Sequence, residues 1–202
     1  MPTSLLRQCL DEIAPYITDI VNASLETGLV PQSFKQAIVK PLLKNSGLDP
    51  DNLKNYRPVS NLPFVSKILE KVVLEQLSNH IARNGLQVCF QSAYRQHHST
   101  ETALLRIVND LLQVIDKGKS TILTLLDLSA AFDTLDHDIL LGRLRNTFGV
   151  SDTALNWFHS YLHERKQVVS IGRSQSKEQN ILYGVPQGSV LGPVLFVLYT
   201  TP

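Results

Sequence analysis

The sequence is poor in the residues that hold small secreted domains or zinc sites together. Its 202 residues include two cysteines, one methionine and one tryptophan. Cys9 and Cys89 are too few for a disulfide framework or a cysteine-rich zinc site, which favours a reducing, intracellular setting. We expect both thiols to behave as small buried hydrophobic side chains.

The sequence also lacks an excess of either charge. It has 19 Lys and Arg residues against 18 Asp and Glu residues, for a formal net charge of +1. Many nucleic-acid-binding domains are strongly basic, so any basic surface here is local. Charged residues make up 18% and hydrophobic residues 43% of the chain. This composition excludes a disordered chain and predicts a folded one with a buried core.

Long apolar runs are missing as well. The longest late run, Val190 to Tyr199, is too short to span a bilayer, and Gly192 and Pro193 interrupt it. No apolar leader segment follows Met1. The sequence therefore predicts neither secretion nor a membrane partner, and it leaves both nucleus and cytoplasm open as the compartment.

Helical and strand-like patterns follow one another along the chain, which predicts a mixed α+β fold. From Thr3 to Glu26 the apolar spacing is helical, but Pro15 interrupts it, so we expect two short helices that end at Gly28. The later patterns predict a strand over 37–43, a loop over 45–58, helices over 63–85, 100–118, 139–148 and 154–164, strands over 167–171 and 180–183, and a last helix capped by Ser189.

An apolar run from Thr121 to Leu126 closes on Asp127. The run is typical of a strand covered on both faces, which would place the Asp127 carboxylate at the carboxyl end of that strand. Such a carboxylate can bind a hard cation such as Mg²⁺, or it can cap the following turn. Asp133, Asp136 and Asp138 follow, and Asp136 is as good a candidate for a helix cap as for a ligand.

Five blocks of the sequence resemble, in the same order, the motifs of one polymerase family. The segment Leu125 to His137 resembles motif A of the reverse transcriptases of non-LTR (long interspersed element type) retrotransposons. Asn55 to Leu62 with Lys67 resembles the first fingers motif, Phe90 to Arg95 with Ser99 and Thr100 the second, Trp157 to Leu162 with Arg165 and Gln167 the pre-B segment, and Gly184 to Pro193 motif B.

The resemblance implies a right-hand polymerase fold. Residues 1–30 would form an N-terminal helical lead-in, residues 31 to about 118 the fingers, and residues from about 119 to 202 part of the palm. The implied activity is that of an RNA-directed DNA polymerase, a nucleotidyltransferase. Such an enzyme uses Mg²⁺ ions and takes an RNA template, a DNA primer and nucleoside triphosphates as partners.

The resemblance also implies roles for residues of the palm. Asp127 would be the catalytic carboxylate shared by two Mg²⁺ ions, and the Leu128 carbonyl would add a ligand. Phe132 would lie beneath the incoming sugar and exclude a 2′-hydroxyl; apart from the resemblance, the same ring would be interpreted as a buried core aromatic. Gln187 and Gly188 would lie near the nascent base pair, where glycine lets the backbone approach closely.

Three cations of the predicted fingers complete the implied site. Arg57, Lys67 and Arg95 would face the template or the triphosphate, arginine through bidentate bonds to phosphate and lysine as a point charge. Without the resemblance, each of the three is simply a solvated surface charge.

One motif of the family is missing from the sequence. Motif C supplies an Asp-Asp pair that completes the metal site, and no Asp-Asp pair occurs in these residues. We therefore expect a domain truncated before motif C and the thumb, inactive by itself, whose motif A strand has an exposed edge. Two other interpretations stay open: a non-catalytic remnant that binds RNA or an RNA–DNA hybrid, and a decayed retroelement reading frame without function.

Overall fold

The computed structural model describes residues 8–128 and 130–201 and has a mixed α and β fold. Its helices are α1 (Leu10–Thr27), α2 (Phe64–Arg83), α3 (Thr100–Asp116), α4 (His137–Asn146), α5 (Asp152–Leu162) and α6 (Gly192–Thr200). Its strands are β1 (Gln36–Leu43), β2 (Tyr56–Asn61), β3 (Arg165–Ile171), β4 (Ser174–Gln175) and β5 (Gln179–Ile181). Sequence predictions for residues 1–7, Ser129 and Pro202 lie outside the described residues.

The strands form one mixed sheet in which β1 pairs with both β2 and β3. The β1–β2 pair is antiparallel, the β1–β3 pair is parallel, and β4 and β5 each pair antiparallel with β3. In the parallel pair Gln36 lies opposite Lys166 and Val39 lies opposite Val169. The predicted boundary between fingers and palm, near residue 118, falls between β1 and β3 in the sequence. One sheet therefore contains strands from both predicted regions.

The core lies between α2, α4, α5 and α6. Its fully buried side chains include Leu69, Leu135, Leu140, Leu144, Phe148, Tyr161, Leu162, Leu191 and Leu195. The predicted helices over 63–85, 100–118, 139–148 and 154–164 are confirmed, with ends that differ by one or two residues. Asp136 is a helix cap, because its carboxylate accepts hydrogen bonds from the backbone N–H groups of Asp138 and Ile139.

The predicted break at Pro15 is wrong, since α1 continues through it. Proline lacks an N–H group, so the helix loses one backbone hydrogen bond near its start, where few turns precede it. Packing against α5 holds the other end: the Trp157 indole N–H donates to Ser24 Oγ at 3.0 Å. Gly28 ends α1 in the left-handed conformation with φ 67°, as the sequence predicts.

The first half of strand β2 lies in the region predicted as a loop, 45–58. Pro58 argues against a central strand, because it cannot donate a backbone hydrogen bond. In the structure Pro58 lies opposite Pro41, and β2 is at the edge of the sheet, where a missing donor is tolerated. Arg57 therefore belongs to an edge strand and not to the end of a loop.

The predicted buried strand over 121–126 is wrong. The backbone from Thr121 to Leu128 has no regular secondary structure, and within the described part of the chain no strand pairs with it. Its apolar side chains lie in solvent; Ile122 is 93% and Leu126 is 89% exposed. A strand is stable only when a neighbour satisfies its backbone groups, and none of the described strands does so.

Helix α3 is formed as predicted but has no buried residue. Ser99 and Thr102 form a capping box at its start, and its apolar side chains, among them Leu105 and Leu112, are exposed. Cys89 is exposed and Cys9 is half-buried, so the expectation of two buried thiols is wrong.

Candidate functional site

The turn from Gly184 to Gly192 is joined by backbone hydrogen bonds to the segment that follows Asp127. The Gly184 N–H donates to the Leu135 carbonyl at 2.7 Å, and the Val185 N–H donates to the Phe132 carbonyl at 2.8 Å. A Cβ on Gly184 would collide with the Phe132 carbonyl oxygen, so the two backbones are in direct contact there. The blocks that resemble motif A and motif B therefore lie side by side.

The same turn also contacts the edge strand β2. The Ser60 N–H donates to the Gln187 carbonyl at 2.7 Å. Gly188 has φ 120°, and a Cβ at this position would lie 2.7 Å from the Ser60 carbonyl oxygen. Only glycine fits this conformation and this contact. The Gln187 side chain is half-buried, and its Oε1 has no hydrogen-bond partner.

Phe132 is half-buried beside this turn. Its ring packs against Phe196 of α6, with ring centroids 5.6 Å apart. The next residue, Asp133, has its backbone N–H bonded to the Ala130 carbonyl. Partial burial raises the pKa of the Asp133 carboxyl. The structure thus places Phe132 beside the turn that carries Gln187 and Gly188.

A buried carboxylate from α2 holds the other end of the turn. Glu70 is 1% exposed, and its Oε2 accepts hydrogen bonds from the N–H groups of Val190 at 2.6 Å and Leu191 at 3.1 Å. Its Oε1 accepts a longer bond from Ser66 Oγ at 3.4 Å. Burial raises the pKa of Glu70, while the two backbone N–H groups and the nearby Arg165 act in the opposite direction.

Two further buried polar side chains, those of Tyr161 and Arg165, lie near Glu70. The Tyr161 ring lies under the Arg165 guanidinium, whose carbon is 4.9 Å from the ring centroid. One nitrogen of Arg165, Nη1, donates to the Tyr161 carbonyl at 2.9 Å, while Nε and Nη2 have no partner. The Tyr161 hydroxyl lies near Glu70 and Ser189, and burial strongly raises its pKa. Arg165 therefore places positive charge beside the Glu70 carboxylate inside the protein.

Three histidines lie on the side of the turn near Gly184. His137 is buried, and its Nε2 is 2.8 Å from the Gly184 carbonyl oxygen, which can only accept, so the ring carries the proton on Nε2. His163 packs edge-on against His137 and stacks on His159. Burial lowers the pKa of His137, and the neighbouring His163 lowers it further.

Asp127 and Leu128 are not among these buried groups. Both are exposed and lie on the irregular segment over 121–128. Among the residues that the structure describes, no group of three His, Cys, Asp or Glu side chains is placed to hold a metal ion. Asp127 is thus a single candidate ligand, and the described residues do not assemble a metal site around it.

The three predicted fingers cations differ in their surroundings. Arg57 is exposed on β2, and Lys67 is half-buried in the first turn of α2. Arg95 is also half-buried, and its Nη1 lies 3.5 Å from the Val88 carbonyl oxygen. It lines an open cavity of about 620 Å³ that contains no acidic side chain, together with Tyr94, His97 and His98.

Glu70 and Ser60 contact the turn directly, and neither is singled out by the sequence analysis. The signal for Glu70 is its position in the helix. Ser66, Leu69, Glu70 and Val73 follow the i, i+3, i+4, i+7 spacing of a buried helical face, so a carboxylate among them requires a buried partner. Ser60 gives no such signal, because its contact with Gln187 is made by the backbone.

Comparison with known families identifies the family of this chain. The family model described as Reverse transcriptase (RNA-dependent DNA polymerase) matches residues 42–202, and the chain belongs to that family. The resemblance to the reverse transcriptases of non-LTR retrotransposons is likewise confirmed. Enzymes of this family normally use a divalent metal ion.

Two relatives from Drosophila melanogaster illustrate the similarity. The chain is 31% identical over 196 residues to the RNA-directed DNA polymerase from mobile element jockey, an alignment that covers 97% of this chain and 21% of that protein. It is 30% identical over 185 residues to the probable RNA-directed DNA polymerase from transposon BS, covering 92% of this chain and 20% of that protein. The chain thus spans about a fifth of the length of these relatives.

Across residues 8–128 and 130–201, no helix combines the length and the apolar character needed to cross a membrane.

Proposed function

We propose that the chain forms the fingers and part of the palm of an RNA-directed DNA polymerase from a non-LTR retroelement. In this proposal residues 31 to about 118 are the fingers, the residues from about 119 onward belong to the palm, and residues 1–30 lead into them. Its partners are an RNA template, a DNA primer and nucleoside triphosphates.

One observation carries the proposal. Three blocks that lie far apart in the sequence meet at the 184–192 turn, through the hydrogen bonds from Val185 to Phe132 and from Ser60 to Gln187. A polymerase has to position a template base, a primer end and a triphosphate together, and a site built from several segments on packed elements can do this. The arrangement supports an incoming nucleotide between Phe132 and the Gln187–Gly188 turn.

The remaining roles follow the same proposal. Phe132 contacts the sugar and excludes a 2′-hydroxyl, and Gln187 and Gly188 contact the nascent base pair. Arg57, Lys67 and Arg95 contact phosphates of the template or the triphosphate. Asp127 is the catalytic carboxylate, with the Leu128 carbonyl beside it.

We expect these 202 residues to bind nucleic acid without polymerising nucleotides. The sequence contains no Asp-Asp pair, and the described residues form no group of three His, Cys, Asp or Glu side chains that could hold a metal ion. Primer extension on an RNA template checks this expectation, and the addition of a nucleotide by the 202-residue chain would contradict it.

The proposal is tested by titrating a labelled RNA–DNA hybrid with the chain at several salt concentrations. Binding should weaken as salt rises, because phosphate contacts release counterions. Arg57→Gln should weaken binding and lower the slope of log affinity against log salt by about 1. Arg145→Gln is the matched control, since Arg145 is equally exposed but lies on α4. Equal effects of the two variants, or no binding at all, would overturn the proposal.

A further inference from the structure

We propose that Glu70 is a positioning residue: its carboxylate fixes the start of α6 and thereby sets the Gln187–Gly188 turn against the fingers. This inference rests on the proposed function, because it concerns the same turn. Glu70 has no direct contact with the proposed nucleotide position. It acts through the backbone that carries Gln187 and Gly188.

The start of α6 needs an acceptor from outside the helix. The first N–H groups of a helix have no partner within it. Leu191 is the residue before α6, and its side chain cannot cap. Ser189 Oγ accepts from the Gly192 N–H, the first of the helix, at 3.0 Å, and the N–H groups of Val190 and Leu191 lie just before the helix. One oxygen of Glu70 accepts from both of them.

A carboxylate suits this position better than a neutral acceptor. The aligned peptide dipoles of α6 place partial positive charge at its start, and a carboxylate is stabilised there. The guanidinium of Arg165 adds positive charge nearby, within the same buried region. Glu70 is 1% exposed, so in the folded protein the two N–H groups bond to its carboxylate in a region closed to bulk water.

The carboxylate links two predicted regions of the protein. Glu70 belongs to α2, and it lies one helical turn after the proposed phosphate ligand Lys67. Three residues before Val190, the Gln187 carbonyl accepts from the Ser60 N–H of β2. The turn is therefore held at two points by elements of the predicted fingers. A change at Glu70 should loosen one of these two attachments and leave the other in place.

Amide hydrogen exchange of the 202-residue chain tests the attachment itself. In Glu70→Gln, protection of the Val190 and Leu191 amides should fall about tenfold more than protection of the Leu144 amide in α4, because a charge-assisted bond is replaced by a weaker neutral one. Glu75→Gln is the control, since Glu75 is exposed on the same helix. Equal loss of protection at all three amides, or none, would overturn the proposal.

A double-mutant cycle on hybrid binding tests the link to function. If Glu70 acts through the turn, Gln187→Ala should weaken binding in the wild type and have little further effect in Glu70→Gln. Fold losses that simply multiply would show that Glu70 has only a general structural role. If the wild type binds no hybrid, the proposed function fails, and the exchange experiment alone decides whether Glu70 holds the turn.

Discussion

At the scale of single residues, the close contact between Gly188 and Ser60 determines how near the 184–192 turn lies to β2. The distance of 2.7 Å from a Cβ at position 188 to the Ser60 carbonyl oxygen leaves no room for any side chain. The φ of 120° adds a backbone penalty for every residue except glycine. Steric and conformational costs therefore act at the same residue.

We predict that Gly188→Ala lowers the free energy of unfolding by about 2 kcal/mol or more, because it combines backbone strain with overpacking. Gly85→Ala should cost less, since Gly85 also has positive φ but has no atom within 4 Å of the new Cβ. Gly142→Ala, in the interior of α4 with open space around it, should stabilise by roughly 0.5–1 kcal/mol. Urea unfolding of the three variants measures these differences, and an equal cost at positions 188 and 85 would contradict the role of Ser60.

The residues of the turn show how far the sequence predicts the site. Motif blocks single out Phe132, Gln187 and Gly188, and the structure brings these residues together. The sequence does not predict that Glu70 and Arg165 interact, because they come from α2 and β3 and lie near each other only in the folded protein. A sequence pattern shows neighbours along one element, but it does not show which charged groups from different elements share a buried region.

At the scale of elements, α3 and α4 are capped in similar ways but packed differently. Ser99 accepts from the Thr102 N–H at the start of α3, and Asp136 accepts from two N–H groups at the start of α4. Helix α4 buries Leu140 and Leu144, whereas α3 buries no residue. Loss of a cap should therefore have different consequences in the two helices.

We predict that Asp136→Ala lowers the global free energy of unfolding by about 1 kcal/mol, because α4 is part of the core. Ser99→Ala should leave global unfolding nearly unchanged and increase hydrogen exchange only within α3, by about fivefold. Thermal unfolding and amide exchange distinguish the two results. A similar loss of global stability in both variants would mean that α3 packs against the core in solution.

The irregular segment over 121–128 shows that an apolar pattern alone does not predict a strand. Its composition is that of a buried strand, but composition does not supply the partner strand that a sheet requires. The reverse holds for β2, where Pro58 argues against a strand and pairing with β1 forms one. In both segments the presence or absence of a paired strand determines the structure, and that strand comes from another part of the chain.

At the scale of the whole molecule, His137 links stability to pH. Burial lowers its pKa in the folded protein and the neighbouring His163 adds to the shift, while the hydrogen bond to the Gly184 carbonyl, Asp136 and Asp138 oppose it. A group with a lowered folded pKa contributes stability above its unfolded pKa, about 6.5, and loses it as pH falls through the folded value. The raised pKa values of Glu70 and Asp133 have the opposite effect: they favour the folded protein as pH falls.

We predict that, as pH drops below about 6.5, the free energy of unfolding of the wild type decreases relative to that of His137→Gln. A glutamine amide can still donate to the Gly184 carbonyl, but it does not take up a proton. Urea titrations between about pH 8 and 5 measure both slopes, with His98→Gln as an exposed control. Parallel slopes for the wild type and His137→Gln would show that His137 has no part in the acid sensitivity.

The parallel pairing of β1 with β3 has a consequence for how the protein is made. Gln36 leaves the ribosome long before its partner Lys166 has been synthesised, and at roughly 5–20 residues per second the wait is on the order of ten seconds. Throughout that time the edge of β1 that later pairs with β3 has no strand to bond. The nascent chain is therefore a substrate for chaperones until translation has passed β3, and slower translation lengthens that exposure.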